Sequence, residues 1–277
     1  PTTQIEAAPM ALSLFHTVFN ITNLLILIWF TKWIACIVSK IIPIKEKGED
    51  AFTLKHIKIG LLSTPDASLF QAKEEIVLYG KNTRDMFHRV TECLDLSPKD
   101  FDQPFEKLTK MEDESDNVEI EIANYLTKVS ESKLSTENSK RIRSMFKIVS
   151  EIESIADSSL NVAKAIYRRN DQHVTFPEEL TRKLKHMFAL VEETLDVMCN
   201  NLAVEYKTVN AKKAYEMEKA INDYRTVLKQ EHLIAIEEKK YDYPTGILYN
   251  DMFSECEKIG DFAINVTQAV KEIGYEE

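Results

Sequence analysis

Apolar and polar positions follow two different patterns along this chain. From residue 7 to residue 31 no Asp, Glu, Lys or Arg interrupts a mainly apolar run. From Asp66 onward, apolar residues return every third or fourth position almost to the end. The second pattern is that of amphipathic helices, each with one buried face. It predicts six helices, bounded by capping and breaking residues. The first runs from about Asp66 to Leu94 and is closed by Ser97-Pro98, and the second from about Asp102 to Val129. The third opens near Thr136, behind Ser135, and ends near Arg169. The fourth starts at Pro177 and reaches about Glu205, and the fifth spans about Ala211 to Glu238. Pro244 and Gly246 mark a turn before the sixth, which ends near Ile273. Short connections between long amphipathic helices imply antiparallel neighbours.

A sixteen-residue pattern on the third helix returns on the sixth. Residues 151–166 read EIESIADSSLNVAKAI and residues 255–270 read ECEKIGDFAINVTQAV. Glu151, Glu153, Ile155, Asp157, Asn161, Val162 and Ala165 recur at a constant offset of 104 residues as Glu255, Glu257, Ile259, Asp261, Asn265, Val266 and Ala269. A repeat of that period makes the region after residue 65 one three-helix unit used twice, residues 66–170 and 171–277, related by a pseudo-twofold. The fold class is therefore all-α, a tandem of two antiparallel three-helix bundles. Scarce glycine (6) and proline (8) fit long helices.

The N-terminal stretch 11–30, ALSLFHTVFNITNLLILIWF, is about long enough to cross a bilayer core. Trp29 and Trp33 stand at the expected interface, with Lys32, Lys40, Lys45 and Lys47 beyond. A buried core helix is the other reading; length and flanks favour the span. His16, Asn20 and Asn23 inside it call for neighbouring helices, since lipid cannot satisfy them. The positive-inside rule puts the remainder of the chain in the cytoplasm. Residues 33–42 are too short to return and continue along the interface to Pro43, so residues 1–42 form a membrane part and residues 43–65 a linker. The chain begins at Pro1, so a processed protein or a fragment of a longer one is expected.

The repeat also duplicates charge. Glu153 and Asp157 lie one helical turn apart, as do Glu257 and Asp261. The second helix carries another row, Glu112, Asp116 and Glu119; the fifth carries a looser one, Glu218, Asn222 and Arg225. If the second and third helices are antiparallel neighbours, Glu112 and Asp116 face Glu153 and Asp157. Converging carboxylates repel unless protons, basic side chains or a cation neutralise them. All-oxygen clusters suit magnesium, calcium or manganese, and carboxylate-rich bundles also hold iron. A solvated acidic face is the ordinary reading of such a row, and the in-register repeat weakens it; a site and a face kept for helix-to-helix hydrogen bonding are the alternatives.

Composition narrows the function. A net charge of −10 argues against nucleic acid as a partner. Cys36, Cys93, Cys199 and Cys256 are far apart and form no CxxC pair, which reads as buried thiols in a reducing compartment. His88, His173, His186 and His232 do not pair at ligand spacing, and no phosphate loop, GxSxG elbow or HExxH motif is present. The basic pairs Arg141/Arg143 and Arg168/Arg169 could meet an anion; solvated helix ends are the simpler account.

EKIGD at Glu257–Asp261, followed by Asn265-Val266, resembles the signature of PhoU-like domains, with ESIAD at Glu153–Asp157 the weaker copy. MALSLFHTVFN at Met10–Asn20 resembles the final membrane helix of bacterial sodium-phosphate cotransporters, and LLSTPDASLFQAKEEI at Leu61–Ile76 the entry to the PhoU-like domain behind it. The resemblance implies metal ions, divalent or iron-type, at Glu153, Asp157, Glu257 and Asp261, joined by Asp116 and Glu112. Asn222, where aspartate is usual, weakens a cluster in the second unit. The paired QSSS-type substrate motifs are absent, so this chain alone is not expected to transport phosphate, nor to be an enzyme. It is expected at the bacterial inner membrane, helical domain in the cytoplasm, with the upstream transport core of the same polypeptide, a second copy and a phosphate-signalling protein as partners. A metal-dependent helical-bundle enzyme and a purely structural dimerisation or interaction domain are the competing functions.

Overall fold

The structure, a computed structural model, describes residues 12–25, 30, 54–57 and 64–274 of the chain. It divides into Pro1–Phe52 and Thr53–Glu277. In the first unit, residues 12–25 form helix α1. Its Leu14, Phe15, Val18, Phe19 and Leu24 are each more than half exposed, from 52% to 65%. Among the described residues no helix is long and apolar enough to cross a membrane. The expected span, 11–30, extends over residues 11 and 26–29, which lie outside the described residues. So do the interfacial segment and most of the linker.

The second unit holds six long helices among its described residues: α2 (Pro65–Cys93), α3 (Pro98–Ser130), α4 (Thr136–Asp171), α5 (Glu178–Ala203), α6 (Ala211–Glu237) and α7 (Tyr243–Gly274). A 3₁₀ turn, Tyr206–Thr208, joins α5 to α6. Local chemistry sets the starts. Thr64 Oγ1 accepts from the Ala67 N–H, Ser135 Oγ from Asn138 and Asn210 Oδ1 from Lys213. Two starts differ from the periodicity. Helix α3 begins at Pro98, whose fixed φ suits a first helical position, and carries Pro104 within it. Helix α7 begins at Tyr243, so Pro244 and Gly246 belong to its first turn and not to a preceding loop. Asp242 Oδ1 accepts from the Thr245 N–H at 3.0 Å and starts that turn. A Cβ at Gly246 would stand 2.7 Å from Ile236 Cδ1 and 3.0 Å from His232 Cε1, so a larger residue there would have to displace those side chains.

Helices α2, α3 and α4 pack on one another, and so do α5, α6 and α7. The two bundles are joined along α4 against α7 and along α2 against α5. Both junctions are antiparallel. Across α4/α7, Asn265 Nδ2 donates to Glu151 Oε2 (3.1 Å) and Arg168 Nη2 to Asp251 Oδ2 (2.9 Å). Across α2/α5, His88 meets Glu192 at 2.6 Å, Arg84 meets Asp196 at 3.3 Å and Lys185 meets Asp95 at 2.6 Å. The α4/α7 register sets Ala156 level with Gly260, two small residues that are each other's counterparts in the repeat. The duplicated motifs thus run past each other with these equivalent residues level, as a pseudo-twofold requires. Their apolar members Ile155, Val162, Ile259 and Val266 are fully buried. Cys93, Cys199 and Cys256 are buried free thiols; Cys36 lies outside the described residues.

One buried carboxylate ties the incoming chain to the bundle. Glu75 of α2 is 4% exposed and accepts from the backbone N–H of His56 at 2.6 Å and of Lys55 at 3.3 Å. Hydrogen bonds to a charged acceptor contribute about 1.5–3 kcal/mol each. Glu75→Ala should therefore destabilise the unit by about 2–3 kcal/mol in urea unfolding. It should also strip hydrogen-exchange protection from the amides of Lys55 and His56 while sparing those of α4 and α7.

Candidate functional site

The acidic rows are placed by helical periodicity. Glu112, Asp116 and Glu119 follow one face of α3; Glu153 and Asp157 follow one face of α4, the neighbour of α3. The buried stripe of α3, Leu108, Ser115, Val118 and Ile122, sits beside this row. The acids are thus carried at the edge of the core, half-buried apart from the more exposed Asp116.

Their electrostatics record the crowding. Burial first, and then the neighbouring Glu119, Asp116 and Asp157 charges, raise the Glu153 carboxyl above its ordinary range. Burial and Asp116 raise Glu119, which a hydrogen bond from Ser150 partly offsets. Burial, Asp113 and Asp157 raise Asp116. Burial and Asp116 raise Glu112, while Lys164 draws it back down. Asp157 accepts from Asn161 Nδ2 at 3.4 Å, a bond within the repeated motif. Five carboxyl groups therefore share one edge, and burial and crowding make Glu112, Asp116, Glu119 and Glu153 harder to ionise. Tyr79 of α2 closes the inner side, its hydroxyl 2.8 Å from Ser115 Oγ.

The second unit resolves the same problem internally. Arg225 Nη2 lies 3.0 Å from Glu257 Oε1. Asn222 Nδ2 donates to Glu218 Oε1 at 2.7 Å, while Asn222 Oδ1 is buried without a partner. Burial, Glu257 and Glu218 raise the Asp261 carboxyl, and Arg225 lowers it. The six predicted site residues thus fall on two faces. Glu112, Asp116, Glu153 and Asp157 come together on α3/α4; Glu257 and Asp261 lie on α7 with α6. Helical spacing alone left Glu119 out of the first candidate site and did not pair Arg225 with Glu257. Both were legible as one-turn steps along the acidic rows, but the partner across the helix pair was not.

The donor set on α3/α4 is all carboxylate oxygen, the kind that hard divalent cations and carboxylate-bound iron accept. Among the described residues, no three His, Cys, Asp or Glu side chains are already arranged to hold a metal ion. The chemistry of the face fits a cation, and binding one requires side-chain rotation toward a common point. One member of each basic pair departs from a solvated helix end. Arg169 is buried and donates to Leu94 O (3.0 Å) and Asn170 Oδ1, and Arg141 pairs with Glu137 and Asp66.

Comparison with known proteins agrees with this architecture. Residues 76–166 match the PhoU domain family. The phosphate-specific transport system accessory protein PhoU homolog of Clostridium acetobutylicum is 25% identical over 189 residues, covering 65% of this chain and 82% of that protein. The crystal structure of PhoU from Pseudomonas aeruginosa matches with a TM-score of 0.68 at 16% identity, over 76% of this chain and 98% of that one. That of the phosphate transport system regulatory protein PhoU from Streptococcus pneumoniae matches with a TM-score of 0.64 at 16% identity, over 76% and 96%. The chain carries a PhoU-like all-α domain.

Proposed function

We propose that this chain is a regulatory PhoU-like domain of a phosphate transport system, carried behind the last membrane helix of a sodium-dependent transporter at the bacterial inner membrane. The observation that carries the reading is the α3/α4 edge, where five carboxyl groups are crowded beside the core on one half of a duplicated bundle. The likeness to proteins named for phosphate transport supplies the system. Asp116, Glu153 and Asp157, flanked by Glu112 and Glu119, would hold a divalent or iron-type cation. Such a cation would add positive charge to an edge where, among the described residues, Lys164 acts on Glu112 and Lys258 on Asp157.

The chain's part is mechanical. Neutralising the edge draws α3 toward α4, and α4 is the helix that joins the two bundles through α7. Helix α2 packs on both α3 and α4 and holds the incoming backbone through Glu75. A change at the acidic edge therefore reaches the segment that leads back toward α1. The exposed apolar side chains of α1 support a lipid or helical covering for that element.

Phosphate uptake by the parent transporter, with and without residues 64–274, tests the proposal. Loss of the response of uptake to phosphate supply is expected on deletion. Uptake and response both unchanged would defeat it.

A further inference from the structure

Helices α4 and α7 leave a cleft at each end of their crossing, and the duplication makes the two clefts counterparts. At one end, a cleft of about 490 Å³ is lined by Asn161, Lys164, Tyr167 and Arg168 of α4 and by Asp251 and Glu255 of α7. At the other, a cleft of about 810 Å³ is lined by Lys140, Arg143, Ser144 and Lys147 of α4, by Gln268, Lys271 and Glu272 of α7, and by Tyr215 of α6. At the repeat offset, Lys147 stands where Asp251 stands, and Gln268 where Lys164 stands.

The two ends differ in how charge is balanced. In the smaller cleft Arg168 is paired with Asp251 at 2.9 Å, and Glu255 with Lys258 at 2.7 Å. Among the described residues that line the larger one, four are cationic and one, Glu272, is a carboxylate. Lys140, Arg143 and Lys147 make no ion pair or hydrogen bond with any described residue. On the wall of the same cleft, Ser144 is 7% exposed, and its hydroxyl has no hydrogen-bond partner among the described residues. The concentration of positive charge runs against a chain whose net charge is −10.

We propose that this cleft binds an anion of linked phosphates. Lys140, Arg143 and Lys147 recur at one-turn and two-turn spacing on one face of α4, a row about 10 Å long at the helical rise. A single phosphate engages only part of such a row, whereas a chain of phosphates spans it. The Arg143 guanidinium suits two oxygens of one phosphate and the lysines act as point charges along the rest. Linked phosphates occur in nucleoside triphosphates and in inorganic tripolyphosphate. Tyr215, 44% exposed, offers a face to a nucleobase in the first case only. The site is separate from the carboxylate edge, so the proposal stands whether or not that edge holds a cation.

The test is calorimetric titration of the full chain, in neutral detergent, with tripolyphosphate, ATP and orthophosphate. Binding to vesicles of phosphatidylglycerol in phosphatidylcholine is measured alongside. Saturable binding of tripolyphosphate or ATP is expected, at least about tenfold tighter than orthophosphate. The double substitution Arg143→Gln with Lys147→Gln should weaken it at least about tenfold, the charge-keeping pair Arg143→Lys with Lys147→Arg only slightly, and Lys212→Gln, outside the cleft, not at all. These positions are exposed, and circular dichroism checks that each variant is folded. ATP binding tighter than tripolyphosphate, with the excess lost in Tyr215→Ala, identifies a nucleotide; equal binding identifies the inorganic chain. Orthophosphate binding as tight as tripolyphosphate, binding to anionic vesicles alone, or linked-phosphate binding untouched by the double substitution would each overturn the proposal.

Discussion

In metal-free protein at neutral pH, the double substitution Asp116→Asn with Glu153→Gln should raise stability. Removing two carboxylates from a well-packed helix pair usually costs something or nothing. Here the expected sign is opposite, because both carboxyls are raised by burial and by the acids around them. Asn and Gln keep the shape and hydrogen-bonding oxygens while removing the repulsion. Partly exposed like charges, screened by solvent, account for about 1–2 kcal/mol for the pair. That corresponds to a thermal midpoint higher by about 2–8 °C for a unit of this size.

The pH dependence carries the same sign. A carboxyl raised in the folded state favours folding fully below its unfolded pKa, and that contribution fades as pH rises through the folded value. Metal-free wild-type protein should therefore gain stability as pH falls from neutral toward the ordinary carboxylate range. The double variant should gain less over the same window. A variant less stable than wild type at neutral pH would mean that the face is a structural hydrogen-bonding surface and not a strained one.

The second large effect has the opposite sign and lies in the other unit. Arg225→Gln should destabilise the protein by about 2 kcal/mol at neutral pH, lowering the midpoint by about 4–8 °C. Arg225 is the cation at Glu257 and lowers Asp261, and both carboxylates are partly buried. Removing it leaves Glu218, Glu257 and Asp261 in the condition of the α3/α4 edge. The loss should shrink on acidification, because Asp261 would then titrate at a still higher pH. Millimolar divalent cation should restore part of the loss in the variant while leaving the Arg225 face of wild-type protein unaffected. The same reversal in both units would establish that Arg225 does permanently in one what a cation does reversibly in the other.

Much of this arrangement was legible in the sequence because it rests on local chemistry. The six long helices of the second unit follow from apolar periodicity, with Ser135 as a cap; the caps Thr64 and Asn210 come from the structure. The offset of 104 residues between the motifs pointed to two units related by a pseudo-twofold, but not to the α4/α7 packing that joins them. What escaped depends on register between helices. Pro244 and Gly246 read as a turn but lie in the first turn of α7, where Asp242 Oδ1 accepts from the Thr245 N–H. Arg169 read as solvated, because its burial against Leu94 brings together residues 75 positions apart. The basic cleft joins the start of α4 to the end of α7, and no window along the chain contains both. Glu75 likewise gave no signal, since its partners are backbone amides of a segment without helical pattern.

The unequal treatment of the two faces also bears on how a duplicated bundle can act as a sensor. Two identical acidic edges would respond together and leave the α4/α7 crossing balanced. With Arg225 fixed in one unit, the proposed binding would change charge at the α3/α4 edge alone and give the crossing a one-sided bias.

Thermal unfolding with and without divalent cation tests the central claim most directly. Chelator-treated wild-type protein is compared with the Asp116→Asn, Glu153→Gln variant across a titration of manganese or magnesium. The account predicts a saturable rise in the wild-type midpoint and none in the variant, which starts higher. Equal cation responses in the two proteins, or no response in wild type, would contradict it.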